Sequence, residues 1–248
     1  MSGHSKWSTI KRKKGALDAK RSKIFSRIVK EISVAVKEGG NDREANPRLR
    51  LAISNAKGVN MPKDNIERAI KKAESKDAEN YLELTYEGYA PHGIAIYMEC
   101  TTDNQQRTVS AIRSYFNKME GSLAKNGSLN FLFDQKGVFR ISSGEWNKDE
   151  LELELIEAGA EDIEHEEDAF MVTTPREDFG NMVKKLEEME IEPESARLER
   201  IPHTRKELPA DKAKSVMKLI DMLEDDEDVQ YVFHDMEITE ELMKELEE

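Results

Sequence analysis

The sequence predicts an α+β, multidomain protein: an N-terminal helical bundle followed by two ferredoxin-like α+β domains, one inserted in the other. Three observations predict it. Apolar residues recur at helical spacing through the first third of the chain, with no strand-like alternation. Beyond residue 80 short alternating runs interleave with helical ones, the pattern of α+β layering. Residues 137–199 spell a complete βαββαβ order, the ferredoxin-like arrangement. A length of 248 residues accommodates two or three such domains. The expected divisions are 1–76, a discontinuous domain of 80–135 plus 205–248, and an inserted domain of 136–204.

The first 17 residues show no apolar period and read as an arm or irregular loop. Over 18–38, Ile24, Phe25, Ile28, Val29, Ile32, Ala35 and Val36 make one helical stripe, and Gly39-Gly40 stops it. Lys23, Arg27, Lys30 and Lys37 share the opposite face. Asn46-Pro47 is an N-cap followed by Pro at the first helical position. Leu49, Ala52, Ile53 and Ala56 form the inner face of that second helix. A third starts near Pro62, with Asp64 and Glu67 as an expected capping box and Ile66, Ala69, Ile70 and Ala73 facing inward. Three short amphipathic helices make a small bundle.

Residues 75–80 read as a linker. Strands at 81–87 and 94–101 flank a turn containing Pro91 and Gly93. Asp103, with Gln106, is expected to cap a helix whose inner face is Val109, Ile112, Phe116 and Met119, and a strand is expected at 128–133. In the inserted segment, 138–141 is a strand. Leu151, Leu153 and Leu155 alternate as in a strand, but Asn147 with Glu150 and the stop Gly159 favour a helix. Strands at 162–165 and 170–173 flank an acidic turn, Thr174-Pro175 opens a helix, and a last strand runs near 191–198. A helix bearing Ala213, Val216, Met217, Ile220 and Leu223 and a strand at 229–233 complete the interrupted domain.

Charge is unevenly placed. Residues 1–76 hold 20 Lys and Arg against 8 Asp and Glu, a net of +12; the other 172 hold 18 against 43, a net of -25, so the whole chain carries -13. A basic head on an acidic body points to a head that meets a polyanion. The candidate nucleic-acid-binding residues are His4, Lys6, Trp7, Lys11, Arg12, Lys13, Lys14, Lys20, Arg21, Lys23, Arg27 and Lys30. Lys and Arg there would displace counterions from phosphates, giving affinity without sequence choice. Trp7 either stacks on an exposed base or packs on the helical bundle. The helix lysines are either phosphate contacts or simply a solvated face. Nothing in the arm selects DNA over RNA.

No other constellation carries chemistry. No phosphate-binding loop, nucleophile elbow, zinc-protease or EF-hand motif occurs, the five histidines are scattered, and no cofactor or metal is expected. The single cysteine, Cys100, lies in an apolar strand, which reads as core and fits a reducing cytoplasm. No apolar run approaches the roughly 20 residues that span a bilayer, so no membrane partner is expected. Acidic clusters at 164–168 and 224–228 are either cation sites or solvated turns. The loop 121–127, beside Lys118 and Lys125, offers a backbone-lined anion contact.

These residues resemble the YebC/PmpR family, which includes the mitochondrial translational activator of cytochrome oxidase subunit I. The resemblance rests on Gly3-His4-Ser5-Lys6-Trp7, Ile10-Lys11-Arg12-Lys13-Lys14, Asn46-Pro47-Arg48-Leu49-Arg50, Asn60-Met61-Pro62, Ile66–Lys72, Tyr86-Glu87-Gly88-Tyr89, Thr102-Asp103-Asn104 and the block from Gly121 to Gly137. It covers the whole chain, more loosely in the last third. Ala124 and His92 stand where the family usually or often has Gly. The resemblance implies a helical N-terminal domain and two α+β domains. Because the motif begins at Ser2-Gly3-His4, it also implies a bacterial cytoplasmic member without a presequence. It implies a DNA-binding transcriptional regulator or, as in some members, a ribosome- and rRNA-binding translation factor easing synthesis of proline-rich stretches. The expectation is therefore a non-enzymatic nucleic-acid-binding regulator, its acidic body repelling free nucleic acid and presenting a surface to protein partners. An enzyme with a site between domains and a pure protein-interaction scaffold are the rivals.

Overall fold

The computed structural model describes residues 17–75, 78–144, 146–166, 168–239 and 242–243, with side chains from Arg21 onward. Helix α1 (Leu17–Gly39), α2 (Pro47–Gly58) and α3 (Lys63–Glu74) come first. Then follow β1 (Leu82–Tyr89), β2 (Ala95–Thr102), α4 (Gln105–Lys118), the short β3 (Ser122–Leu123) and β4 (Phe133–Ser142). The chain continues through α5 (Lys148–Glu157), β5 (Asp162–His165), β6 (Ala169–Pro175), α6 (Phe179–Glu188), β7 (Ser195–Pro202), α7 (Ala210–Asp225) and β8 (Val229–His234). It divides into two compact units, one of Met1–Arg27, Glu79–Asp134 and Arg200–Glu248, the other of Ile28–Ala78 and Gln135–Glu199.

In the first unit the antiparallel sheet runs β3-β1-β2-β8. Central strand β2 is buried along almost its whole length. One face carries Ile96, Met98 and Cys100 against Ile112 and Phe116 of α4 and Val216, Ile220 and Leu223 of α7. The other carries Ala95, Tyr97 and Phe233 against Leu129 and Phe133. Alternation along β2 thus feeds two apolar layers, and Cys100 is core.

In the second unit the strand order is β5-β6-β4-β7, with α5 and α6 packed on the sheet through Leu151, Leu155, Met182 and Leu186. Order and connectivity are those of the ferredoxin-like fold. The first unit shares its layering, four strands and two helices, but not its strand order: the β1–β2 hairpin occupies the centre of the sheet, whereas the β5–β6 hairpin lies at an edge.

The same unit holds α2 and α3. Buried Asn46 accepts from Leu49 N at 3.0 Å and donates to Ala35 O and Gly40 O at 2.8 and 2.7 Å. One side chain thus caps α2 and ties down the end of α1. Asn55 meets edge strand β7 as another strand would, donating to Ala196 O at 3.1 Å and accepting from Ala196 N at 2.9 Å. That satisfies backbone groups an open edge would expose. The approach requires Gly58, where a Cβ would stand 1.9 Å from Glu194 O.

Several boundaries differ from the sequence expectation. α3 starts without a side-chain cap, because Pro62 stands at the N-cap and its ring offers no acceptor; Asp64 lies inside the first turn and Glu67 bonds Arg43. Asn104, not Asp103, caps α4, accepting from Arg107 N at 3.1 Å, while Asp103 pairs with Arg107. The strand expected at 128–133 is a loop with a 3-10 turn at Asn130–Leu132, and β4 starts only at Phe133. The strand expected near 191–198 is β7, displaced to Ser195–Pro202. A 3-10 turn, Arg176–Asp178, intervenes between Pro175 and α6.

Candidate nucleic-acid interface

Of the predicted contacts, His4, Lys6, Trp7, Lys11, Arg12, Lys13 and Lys14 lie outside the described residues, and Lys20 stands on α1 with its side chain outside them. Arg21, Lys23, Arg27 and Lys30 follow on α1, whose Ile28, Ile32, Ala35 and Val36 are buried. The guanidinium of Arg21 lies 5.3 Å from the ring centroid of Phe25, one helical turn on.

Lys23 and Arg27 are engaged within the first unit. Lys23 Nζ bonds Asp225 at 3.1 Å, and Arg27 Nη2 donates to Glu224 O at 2.9 Å. Both acceptors belong to the last turn of α7, where carbonyls lack helical partners and the helix dipole favours cations. Burial lowers the Lys23 pKa below the ordinary lysine value, and the bond and charge of Asp225 only partly restore it. These two side chains therefore fasten the part of α1 that belongs to the first unit to the end of α7.

In the second unit Arg43, in the turn before α2, and Arg48, Arg50 and Lys57 of α2 meet carboxylates. Arg48 pairs with Glu38 and Arg43 with Glu67, both at 2.6 Å, Arg50 with Glu187 at 3.2 Å, and Lys57 with Glu192. The hydrogen bond from Arg43 holds the Glu67 carboxyl below its ordinary range. Lys63, Arg68 and Lys71 of α3 are exposed and form no ion pair among the described residues. None of the three is among the contacts predicted from the sequence, although Arg68 and Lys71 fall in a stretch, Ile66–Lys72, that carries the family resemblance. Arg68 and Lys71 also sit three apart, and that spacing was a second signal.

The acidic clusters of the body are internally satisfied. Arg140, its side chain 11% exposed, gathers Glu166, Asp168 and Glu194. Burial opposes its charge, but the bonds to Glu166 and Glu194 prevail and raise its pKa. Buried Asp228 receives Arg107 Nη2 and Thr108 Oγ1, both at 2.8 Å. Its bond is the main cause raising the Arg107 pKa. Tyr115 donates to Asp226 at 3.0 Å. No group of three or more His, Cys, Asp or Glu among the described residues could hold a metal ion.

The anion contact expected at 121–127 is taken by the protein itself. The buried Glu87 carboxylate accepts from Gly127 N at 2.7 Å and Leu129 N at 2.6 Å. Backbone donors that would cradle a phosphate thus hold an internal carboxylate. Among the described residues, no helix is long and apolar enough to cross a membrane.

Comparison with known proteins supplies the context. Residues 5–76 match the family described as the TACO1/YebC protein N-terminal domain, and residues 81–236 that described as TACO1/YebC second and third domain. A probable transcriptional regulatory protein of Amoebophilus asiaticus is 52% identical over 95% of this chain and 98% of its own length. Another, from Geotalea uraniireducens, is 50% identical over 98% of both chains. The crystal structure of a conserved hypothetical protein of Aquifex aeolicus, Aq1575, is 40% identical with a TM-score of 0.80, covering 91% of this chain and 93% of that one.

Proposed function

Because the chain belongs to the TACO1/YebC family, we propose that it is a non-enzymatic regulator of gene expression, acting in the cytoplasm by binding nucleic acid through its basic N-terminal segment. The observation that carries this reading is the charge segregation: +12 over residues 1–76 against -25 over the rest. The names of its relatives support the regulatory role. The arm carries Lys11–Lys14 as the densest run of positive charge, and each phosphate neutralised releases counterions. The acidic body repels free polyanion over most of its surface, favours binding through the head and leaves a surface for protein partners.

A second reading, a translation factor on ribosomal RNA, is favoured by one observation. A DNA-reading helix presents polar side chains at its start to base edges. On α2 the polar side chains at the start, Arg48 and Arg50, are each bonded within the protein. Contact through phosphates and through folded RNA needs no such helix.

Sucrose-gradient fractionation of lysate at low and raised salt, with immunodetection of the protein, separates the two. Recovery on chromosomal DNA and absence from ribosomes supports the transcriptional reading. Salt-sensitive co-migration with ribosomes supports the translational one. Recovery only as free protein at both salts contradicts both.

A further inference from the structure

We propose that the loop 125–131 is a second contact site, for single-stranded nucleic acid, with Phe131 stacking on an unpaired base and Lys125 meeting a neighbouring phosphate. The choice of ligand class rests on the function proposed above; the site is separate from the arm.

Phe131 is 70% exposed, more than any other large apolar side chain of the described residues. It is not on a loose loop. Its neighbour Leu129 is fully buried against Ala95, Tyr97 and Phe233. Leu132 N bonds Leu129 O at 2.9 Å, and His203 N bonds Leu132 O at 3.0 Å. Upstream, the Glu87 carboxylate clamps Gly127 and Leu129, and its carbonyl accepts from Ala124 N at 2.8 Å. The backbone is therefore set before any ligand arrives, which removes the ordering cost that weakens binding by flexible segments.

The chemistry around the ring selects the occupant. From Asn104 to Asp134 the basic residues are Arg107, Arg113, Lys118 and Lys125 and the acids are Glu120 and Asp134, within a body of net charge -25, and Asp134 meets His203 Nε2 at 2.9 Å. Arg107 is spent on Asp228 and Asp103, but Arg113, Lys118 and Lys125 form no ion pair among the described residues. Asn126 and Asn130, both exposed, add amides that bond base edges. An interface for a folded protein would bring a contiguous apolar patch. Here one exposed aromatic ring lies within six residues of two exposed amides and an exposed lysine, and no other large apolar side chain between residues 104 and 134 is exposed. One ring with nearby positive charge matches one base and its phosphate.

The test uses the full chain and a labelled oligouridylate, read by fluorescence polarisation, together with a 5-iodouridine version for photo-crosslinking mapped by mass spectrometry. Stacking on Phe131 predicts that Phe131→Ala weakens binding about tenfold or more, that Phe131→Trp preserves it, and that a crosslink maps to the Phe131 peptide. Unchanged affinity of Phe131→Ala, equal weakening by Ala and Trp, or absence of oligouridylate binding by the parent protein would each overturn the proposal. A variant with Lys11–Lys14 all changed to Ala separates this site from the arm. Loss only in that variant leaves the arm and removes the loop; loss only in Phe131→Ala does the reverse.

Discussion

Helices α1–α3 and the loop 125–131 use charge in opposite ways. The helices are rich in Lys and Arg, yet Lys23, Arg27, Arg43, Arg48, Arg50 and Lys57 all bond groups of the chain itself. The loop has one lysine and no acid, and the acid that touches it, Glu87 of β1, is buried and consumed by the loop's backbone N–H groups. Counting residues therefore overstates the positive surface of the helical segment, whereas in the loop the count and the free charge agree. What meets a polyanion is the charge left after internal pairing. In the helical segment that charge is left on Lys63, Arg68 and Lys71 of α3, among the described residues.

The largest effect expected from this contrast is in the arm. Changing Lys11–Lys14 to Ala should lower affinity for nucleic acid by orders of magnitude at low salt. Each lost phosphate contact reduces the slope of log affinity against log salt by about 0.9 on duplex DNA and about 0.7 on single strands. Gel shift at several salt concentrations measures it.

Next is Glu87→Ala. Two backbone N–H groups lose their acceptor, and a buried unsatisfied group costs about 1–3 kcal/mol. Urea unfolding should show the loss. If Phe131 binds a base, oligouridylate affinity falls too, because the loop is no longer held.

Arg27→Ala removes the bond to the end of α7 and should cost about 1–2 kcal/mol in the same unfolding experiment, with little change in nucleic-acid affinity. A large loss of affinity without loss of stability would return Arg27 to the interface. Arg50→Ala should be milder still, below about 1 kcal/mol, as for surface ion pairs generally, and leave affinity unchanged.

The smallest effect is alkaline. Burial, first, and then neighbouring acids raise the pKa of Tyr81 and Tyr115, and burial likewise that of Tyr86. A phenol with a raised folded-state pKa contributes stability below its unfolded value of about 10 and loses it as pH rises beyond. Unfolding midpoints should fall above about pH 10, and Tyr115→Phe should flatten that fall.

Local chemistry made much of the fold legible. Asn46-Pro47 announces α2 because capping needs only neighbouring residues. The ambiguous run Leu151–Leu155 resolves as helix: Leu151 and Leu155, four apart, are buried while Leu153 is 63% exposed. A strand would have put all three on one face. What the sequence hid depends on partners far along the chain. Residues 128–133 have strand-like composition, but Glu87 claims the backbone of Gly127 and Leu129 and holds a loop there. Lys23 and Arg27 share a face by spacing alone, yet their fate is set by the end of α7, some 200 residues away. Exposed Phe131 carries no sequence signal, because an apolar residue reads as core until burial is measured.

The most direct measurement is the salt dependence of nucleic-acid affinity for the parent chain and for the variant with Lys11–Lys14 all changed to Ala. Phosphate binding by the arm predicts a steep slope for the parent and a markedly shallower one for the variant. Equal slopes and equal affinities would contradict it.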